Sequence, residues 1–319
     1  MTEKKLEKFL SEIKVMPMKT PLIIEQHIHG AFGIDFNTAD EKGVLYVADQ
    51  LLLNGIGGFF PTLVTDSIEN IKHQLRIIKE AASKCNRILG VHLEGIFINK
   101  DKKGIHNPEH FLTLNIDNYK LLEDDFIKIV TLAPELDEGL IDYLKNKNIK
   151  VQAGHCVGGN LSKMNATTHT FNAMSGISHR GESTTLSALI NDDIYTEIIA
   201  DGVHVSDNAL KLLFKAKPNN KIILVSDALP ITDSNMKETV FADSKIYYDG
   251  IKATGSDGTI AGSTTLVNKI IRRLSKINLM DSQFILNPYT YHGLNPFGEI
   301  IWDSNWNIEK IVYEGKNIL

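Results

Sequence analysis

The sequence predicts an α/β protein folded as a TIM-like (β/α)8 barrel. Short β-rich runs alternate with helical stretches along most of the chain, which is the pattern of βαβ units around a parallel sheet. Eight such runs can be counted. Ligand-type side chains also recur at their C-terminal ends, where a barrel of this kind places its active site.

The elements follow in order. Leu6, Phe9, Leu10 and Ile13 share one face at helical spacing, which predicts a short amphipathic helix ending before Pro17. Strand runs are read at LIIEQHI (22–28), GGFFPT (57–62), RILGVHLE (87–94), FIKIVTL (126–132), IKVQAGH (149–155), ATTHTF (166–171), TEIIAD (196–201) and KIILVSD (221–227). Helical patterns fall between them at 40–54, 67–84, 137–147, 184–191 and 206–216. Beyond Asp227 the stretch ETVFADSKIYYDGIKATGSDG reads as hairpins turning at YDG and SDG, and a helix is expected over 264–277. The tail FGEIIWDSNWNIEKIVYEG reads as two short strands across a polar turn. The expected division is a helical opening (1–20), the barrel (21–295) and a small β appendage (296–319).

Composition bounds the function. With 319 residues, 43% of them hydrophobic and 23% charged, the chain has the material for a sizeable core. A formal net charge of -5 gives no bulk attraction to nucleic acid or anionic lipid, so neither is expected as a partner. A small anionic substrate would need a local basic site. The two cysteines, Cys85 and Cys156, form no CxxC pair, which argues against a disulfide framework or a thiolate zinc site and fits a reducing cytoplasm. The N-terminus lacks a signal peptide's apolar region, and no apolar run approaches the ~18 residues needed to span a bilayer. A cytoplasmic location is expected.

The chemistry concentrates at the strand ends. His27 and His29 close the first strand, Glu94 the third, His155 the fifth, His169 the sixth and Asp227 the eighth. Residues i and i+2 of a strand point the same way, so both rings of the HxH pair can face one point while Ile28 packs outward. Each residue alone also has a plain structural role: hydrogen-bonded histidines at a barrel mouth, an ion-paired Glu94, an Asp227 that caps a helix or turn. Their coincidence at one rim favours a metal site. Imidazole and carboxylate ligands without thiolate suit Zn²⁺, Fe²⁺, Co²⁺ or Mn²⁺.

Several segments together resemble the N-acetylglucosamine-6-phosphate deacetylase family of the amidohydrolase superfamily. They are IIEQHIHGAFGIDF, GFFPTLVT, GVHLEGIFINKDKKGIH, AGH, THTFNAM followed by His179 and Arg180, IADGVHV, LVSDALP and DGTIAGST. They stand in the family's order from Pro21 to Leu266, and the combination of HLEG, THxFNAM and DGxHV is more specific than any single motif. The resemblance implies a metal-dependent hydrolase barrel in which Glu94, His155 and His169 hold the principal metal ion. His27 and His29 match a pair that some members use for a second ion, so one or two ions per subunit are implied. Asp227 matches the catalytic acid and base. Ile105 and His106 match the sugar-contacting end of the KKGIH segment, Asn172 and Ala173 match substrate contacts in the FNAM turn, and Ile260, Ala261 and Gly262 match a loop against the substrate. Arg180 and His204 match phosphate-binding residues that combine two subunits in the family, which implies a homodimer acting on a small sugar phosphate.

A phosphate accepts parallel charge-assisted hydrogen bonds from a guanidinium, so Arg180 with His204 would supply the local positive charge the acidic chain otherwise lacks. Taken alone, Arg180 reads as a solvated surface charge. The chain also departs from the family pattern. Ile96 stands where HLEGP has proline, and the β-sandwich that relatives carry ahead of the HxH strand is expected to be reduced here. Two other functions stay open on the sequence: an amidohydrolase acting on another N-acyl sugar phosphate or a cyclic amide, and an inactive sugar-phosphate-binding protein on the same scaffold.

Overall fold

The computed structural model describes residues 18–158 and 160–319. The helix expected over the first sixteen residues lies outside the described residues. Met18–Thr20, grouped in the sequence with that helical opening, forms a strand instead.

The eight barrel strands are β1 (Ile23–Ile28), β2 (Ile56–Leu63), β3 (Val91–Glu94), β4 (Ile127–Leu132), β5 (Lys150–Ala153), β6 (Ala166–Thr167), β7 (Tyr195–Ile198) and β8 (Ile222–Leu224). All the runs read from the sequence are present, and each strand pairs in parallel with its chain neighbours. The circle closes between β8 and β1. There the Asp227 N–H donates to the His27 carbonyl at 2.9 Å and Ile28 bridges Ala228. The outward side chains meet α1 (Glu41–Leu53), α2 (Ile68–Ala82), α3 (Ile116–Lys120), α4 (Leu140–Asn146), α5 (Thr184–Ile190), α6 (Asp207–Ala216) and α7 (Val267–Lys276), and α8 (Gln283–His292) packs across one end. Helix starts are set locally: Asp40, Ser67 and Ser206 each accept a backbone N–H of the first turn of α1, α2 and α6. Their apolar faces, with Val47 and Leu51 of α1 and Ile71, Leu75 and Ile78 of α2, complete a core that is fully or nearly fully buried.

The inward faces differ. Glu25, Gln26, His27, His92, Thr131, Gln152, Thr168 and Glu197 are all wholly buried inside the barrel. Buried polar groups are tolerated only when paired, and here they pair with one another. Gln26 Nε2 donates to Glu197 Oε1 at 2.6 Å, Thr168 Oγ1 to Gln152 Oε1 at 3.0 Å, and His92 Nε2 meets Thr131 Oγ1 at 2.7 Å. The barrel is thus a polar column in an apolar sleeve.

Helices α3 and α8 are additions to the elements read from the sequence. Pro288 lies inside α8 and interrupts the helical signal. This helix ties down the N-terminal end of the barrel: Tyr289 Oη donates to the Leu22 carbonyl at 2.6 Å, and Asn287 Nδ2 to the Ile222 carbonyl at 2.6 Å. At the opposite end, the expected hairpins form a four-stranded antiparallel sheet of Glu238–Phe241, Ser244–Tyr248, Ala253–Gly255 and Ile260–Gly262. The chain ends build a second such sheet, in which Met18–Thr20 pairs with Glu299–Trp302, then Ile308–Tyr313 and Lys316–Asn317. Trp302, fully buried, fastens it by donating its indole N–H to Thr20 Oγ1 at 2.8 Å.

A Cβ at Gly57 would lie 2.6 Å from Leu22 Cβ and 2.4 Å from its Cδ1. Gly57→Ala should therefore cost about 1–3 kcal/mol by overpacking, read as a lower urea midpoint; an unchanged midpoint would contradict this packing. The His292 imidazole, stacked on Phe60 and bonded to Gln26 Oε1, is pushed from 6.5 down to about 3 by burial and the Lys150 charge. The unfolded chain binds this proton first, so the stability it supports is lost as pH falls from 6.5 towards 3. His292→Gln should flatten the fall in unfolding midpoint across that window, whereas a wild-type slope would be inconsistent with a neutral buried ring.

Candidate metal centre and active site

Each strand end delivers its side chain through a distinct backbone solution. His27 and His29 leave β1 on the same side, while Ile28 is fully buried between them. Glu94 is the last residue of β3. His155, His169 and Asp227 follow β5, β6 and β8 with φ of 50°, 30° and 52°. Left-handed backbone costs a non-glycine residue about 1 kcal/mol or more. Here it turns each chain sharply so that the side chain points at the barrel axis.

Glu94 is the hub. Its Oε1 lies 3.2 Å from His155 Nε2 and 2.9 Å from His169 Nε2, and those two nitrogens are 3.1 Å apart. Its Oε2 lies 3.3 Å from His27 Nε2 and 3.0 Å from His29 Nε2. Asp227 Oδ1 approaches the same two rings at 3.4 and 3.1 Å. All six residues are buried.

This donor set fits divalent ions. Glu94 with His155 and His169 forms one group able to hold a cation, and Glu94 with His27, His29 and Asp227 forms another. A tetrahedral ion with bonds of ~2.1 Å separates neighbouring ligands by about 3.4 Å, close to the spacings here. The outer nitrogens support the same use. His155 Nδ1 donates to the Lys102 carbonyl at 2.8 Å, His29 Nδ1 to the Thr62 carbonyl at 3.2 Å and His27 Nδ1 to Glu197 Oε2 at 3.2 Å. Carbonyl and carboxylate oxygens only accept, so a proton sits on each outer Nδ1, which would leave the Nε2 free to give up its own proton and face a bound ion. His27 Nε2 is buried with no hydrogen-bond partner, as expected of a ligand atom.

The charges are strongly coupled. Burial opposes ionisation throughout, yet the Asp227 and Glu94 carboxylates hold His29 up at about 9, while His27, His155 and His169 hold Glu94 well below the usual carboxylate range. Burial pushes Asp227 up, but the charges of His27 and His29 outweigh it and keep the carboxylate ionised.

A cleft of about 330 Å³ opens above the hub. The expected contacts Ile105, His106, Asn172, Ala173, His204, Ile260, Ala261 and Gly262 all line it. Asn172 is fixed by donating Nδ2 to the His169 carbonyl at 3.1 Å. His204 Nδ1 lies 2.8 Å from Asp201 Oδ2; burial disfavours the imidazolium, but Asp201 raises its pKa above the ordinary value. Arg180 is the exception. It is exposed on the loop between β6 and α5 and does not line the cleft of its own chain.

Several contributors escaped the sequence reading. Glu197 braces His27 from β7, and its signal was a lone carboxylate in the otherwise apolar run TEII. Thr65 bonds His106 from the loop after β2, and Phe241 packs edge-on against His29 at 5.0 Å from the sheet at the mouth. Nothing local in the sequence marks those two.

Over residues 18–298 the chain matches the Amidohydrolase family. It is 32% identical over 295 residues to the N-acetylglucosamine-6-phosphate deacetylase of Bacillus subtilis (strain 168), covering 86% of this chain and 74% of that protein. It is 32% identical over 301 residues to the Caenorhabditis elegans enzyme of the same name, covering 85% and 72%. The crystal structure of N-acetylglucosamine-6-phosphate deacetylase from Thermotoga maritima superposes with a TM-score of 0.87 at 26% identity, covering 95% of this chain and 89% of that one. With its barrel, its buried histidine and carboxylate hub and these relationships, the chain belongs to the N-acetylglucosamine-6-phosphate deacetylase family of amidohydrolases.

Proposed function

We propose that this chain hydrolyses the acetamide of N-acetylglucosamine 6-phosphate to give acetate and glucosamine 6-phosphate. The observation that carries this reading is a pair of ligand groups, Glu94 with His155 and His169 and Glu94 with His27, His29 and Asp227, that share the Glu94 carboxylate at the floor of a substrate-sized cleft. Glu94, His155 and His169 would hold the principal ion, Zn²⁺ by donor type with Fe²⁺, Co²⁺ or Mn²⁺ as substitutes, and His27 with His29 would hold a second. Such an ion supplies Lewis acidity toward the amide carbonyl and the attacking water.

The chain's own groups do the rest. Asp227 takes the proton of the water that adds to the carbonyl carbon, then returns it to the nitrogen as the C–N bond breaks, so the sugar leaves as an amine. His106, Asn172, Ala173 and the Ile260–Gly262 strand would flank the sugar. His204, made cationic by Asp201, would meet the phosphate. Arg180 faces solvent on its own subunit, which supports a role in the cleft of a second copy and hence a homodimer. Among the described residues no helix is long and apolar enough to cross a membrane, and we assign the enzyme to the cytoplasm.

Chelator-treated protein should lose acetate release from N-acetylglucosamine 6-phosphate and regain it on adding one of the four divalent ions; full activity without metal would refute the mechanism. Faster release from another N-acyl sugar phosphate would instead redirect the substrate. Asp227→Asn should lower kcat by about 10²–10⁴ while metal content and substrate binding persist. Near-normal turnover in that variant would remove Asp227 from the reaction.

A further inference from the structure

His106 sits in the cleft wall with both ring nitrogens in defined surroundings. Its Nδ1 lies 2.7 Å from Thr65 Oγ1. The same oxygen accepts the backbone N–H of Ile96 at 2.9 Å. All three residues are buried, Ile96 completely. A threonine hydroxyl has one proton, and burial makes an unused proton costly. With Ile96 donating to the oxygen, the hydroxyl proton is satisfied only by His106 Nδ1, which must then be the unprotonated nitrogen. The other side of the ring agrees. Nε2 looks toward Glu94 Oε2 at 3.9 Å, and a carboxylate oxygen repels a lone pair there but attracts an N–H.

The backbone is shaped for this relay. Ile96 has φ of 53°, which a proline ring locked near -65° does not reach, and a proline would bring no N–H. The family's HLEGP pattern therefore lacks the donor that Ile96 supplies here. Gly95, with φ of 110°, lets the loop approach: a Cβ there would stand 2.0 Å from Thr65 Oγ1 and 2.8 Å from His106 Nδ1.

We propose that Thr65, oriented by the Ile96 N–H, is a positioning residue that fixes His106 as its Nε2–H tautomer, so that His106 meets substrate as a hydrogen-bond donor and not as a metal ligand. The donor role rests on the substrate reading above, whereas the tautomer stands independently of it. An acceptor oxygen of the amide or sugar entering the cleft would take this bond. Because the proton is placed before substrate arrives, no rearrangement of the ring is needed at that moment.

The test is nuclear magnetic resonance of Zn²⁺-reconstituted protein carrying nitrogen-labelled histidine, with His106 assigned by its loss in His106→Gln. The expected spectrum has a protonated Nε2 and an unprotonated Nδ1. Thr65→Val should weaken that preference, leaving only the pull of Glu94, and lower kcat about tenfold, the worth of one hydrogen bond, with little change in KM, and Thr65→Ser should restore both. A proton on Nδ1 of the wild-type ring, or an unchanged tautomer in Thr65→Val, overturns the proposal. If Thr65→Val does not fold, the wild-type and Thr65→Ser spectra still decide. Absent acetate release together with the Nε2–H tautomer would sink the substrate reading and leave this one standing.

Discussion

The structure depends on one burial: the Glu94 carboxylate, shut inside the barrel with four imidazoles and a second carboxylate against it. An isolated buried charge of this kind would cost several kcal/mol, and removing any one partner leaves the others uncompensated. The surrounding architecture answers that cost. Outer nitrogens of His27, His29 and His155 are tied to Glu197, Thr62 and Lys102, so the rings cannot turn away to find other partners. The polar column beneath the site continues the compensation, since Gln26, Glu197, Gln152 and Thr168 satisfy one another where no water reaches. Apolar contacts outside the strands hold the barrel, and a hydrogen-bonded interior holds the candidate ligands.

Much of this was legible in the sequence, and the reasons are specific. β1, β3 and β8 are buried along their whole length, and candidate ligands stand where each of them ends, most plainly after the apolar run KIILVS. The HxH spacing carried its own geometry, because period two leaves both rings on one side. What was not legible depends on distant partners. α8 hides behind Pro288, whose missing N–H breaks the helical pattern although tertiary contacts through Asn287 and Tyr289 hold the segment in place. Met18–Thr20 has no strand signature of its own and becomes a strand because Glu299–Trp302 offers it an edge. Arg180 matched a motif, but a motif does not show that a side chain faces solvent instead of lining the cleft of its own chain.

The bracing residues mark the sharper limit. Thr65 and Glu197 act by what they touch, and they touch residues 41 and 170 positions away. Nothing in the local composition of PTLVT distinguishes Thr65, which bonds His106 in the cleft wall, from Thr62, which feeds its carbonyl to His29 and its hydroxyl to the Ile28 N–H. A sequence motif points to the residues expected to meet a substrate; the residues that hold those in place become visible only when the barrel is closed.

The same logic explains why strained backbone gathers at the rim. His155, His169 and Asp227 adopt left-handed φ values, and so does Ile96, a β-branched residue for which that region is least comfortable. A relaxed turn after each strand would carry the side chain along the strand direction and away from the axis. The strain is sustained because each residue is fixed on both sides: Asp227 by its N–H to His27 and by its carbonyl to Ser263, and Ile96 by its N–H to Thr65 and its carbonyl to Leu112. Closing the barrel at Asp227 and aiming its carboxylate are therefore the same act, which couples formation of the fold to formation of the site.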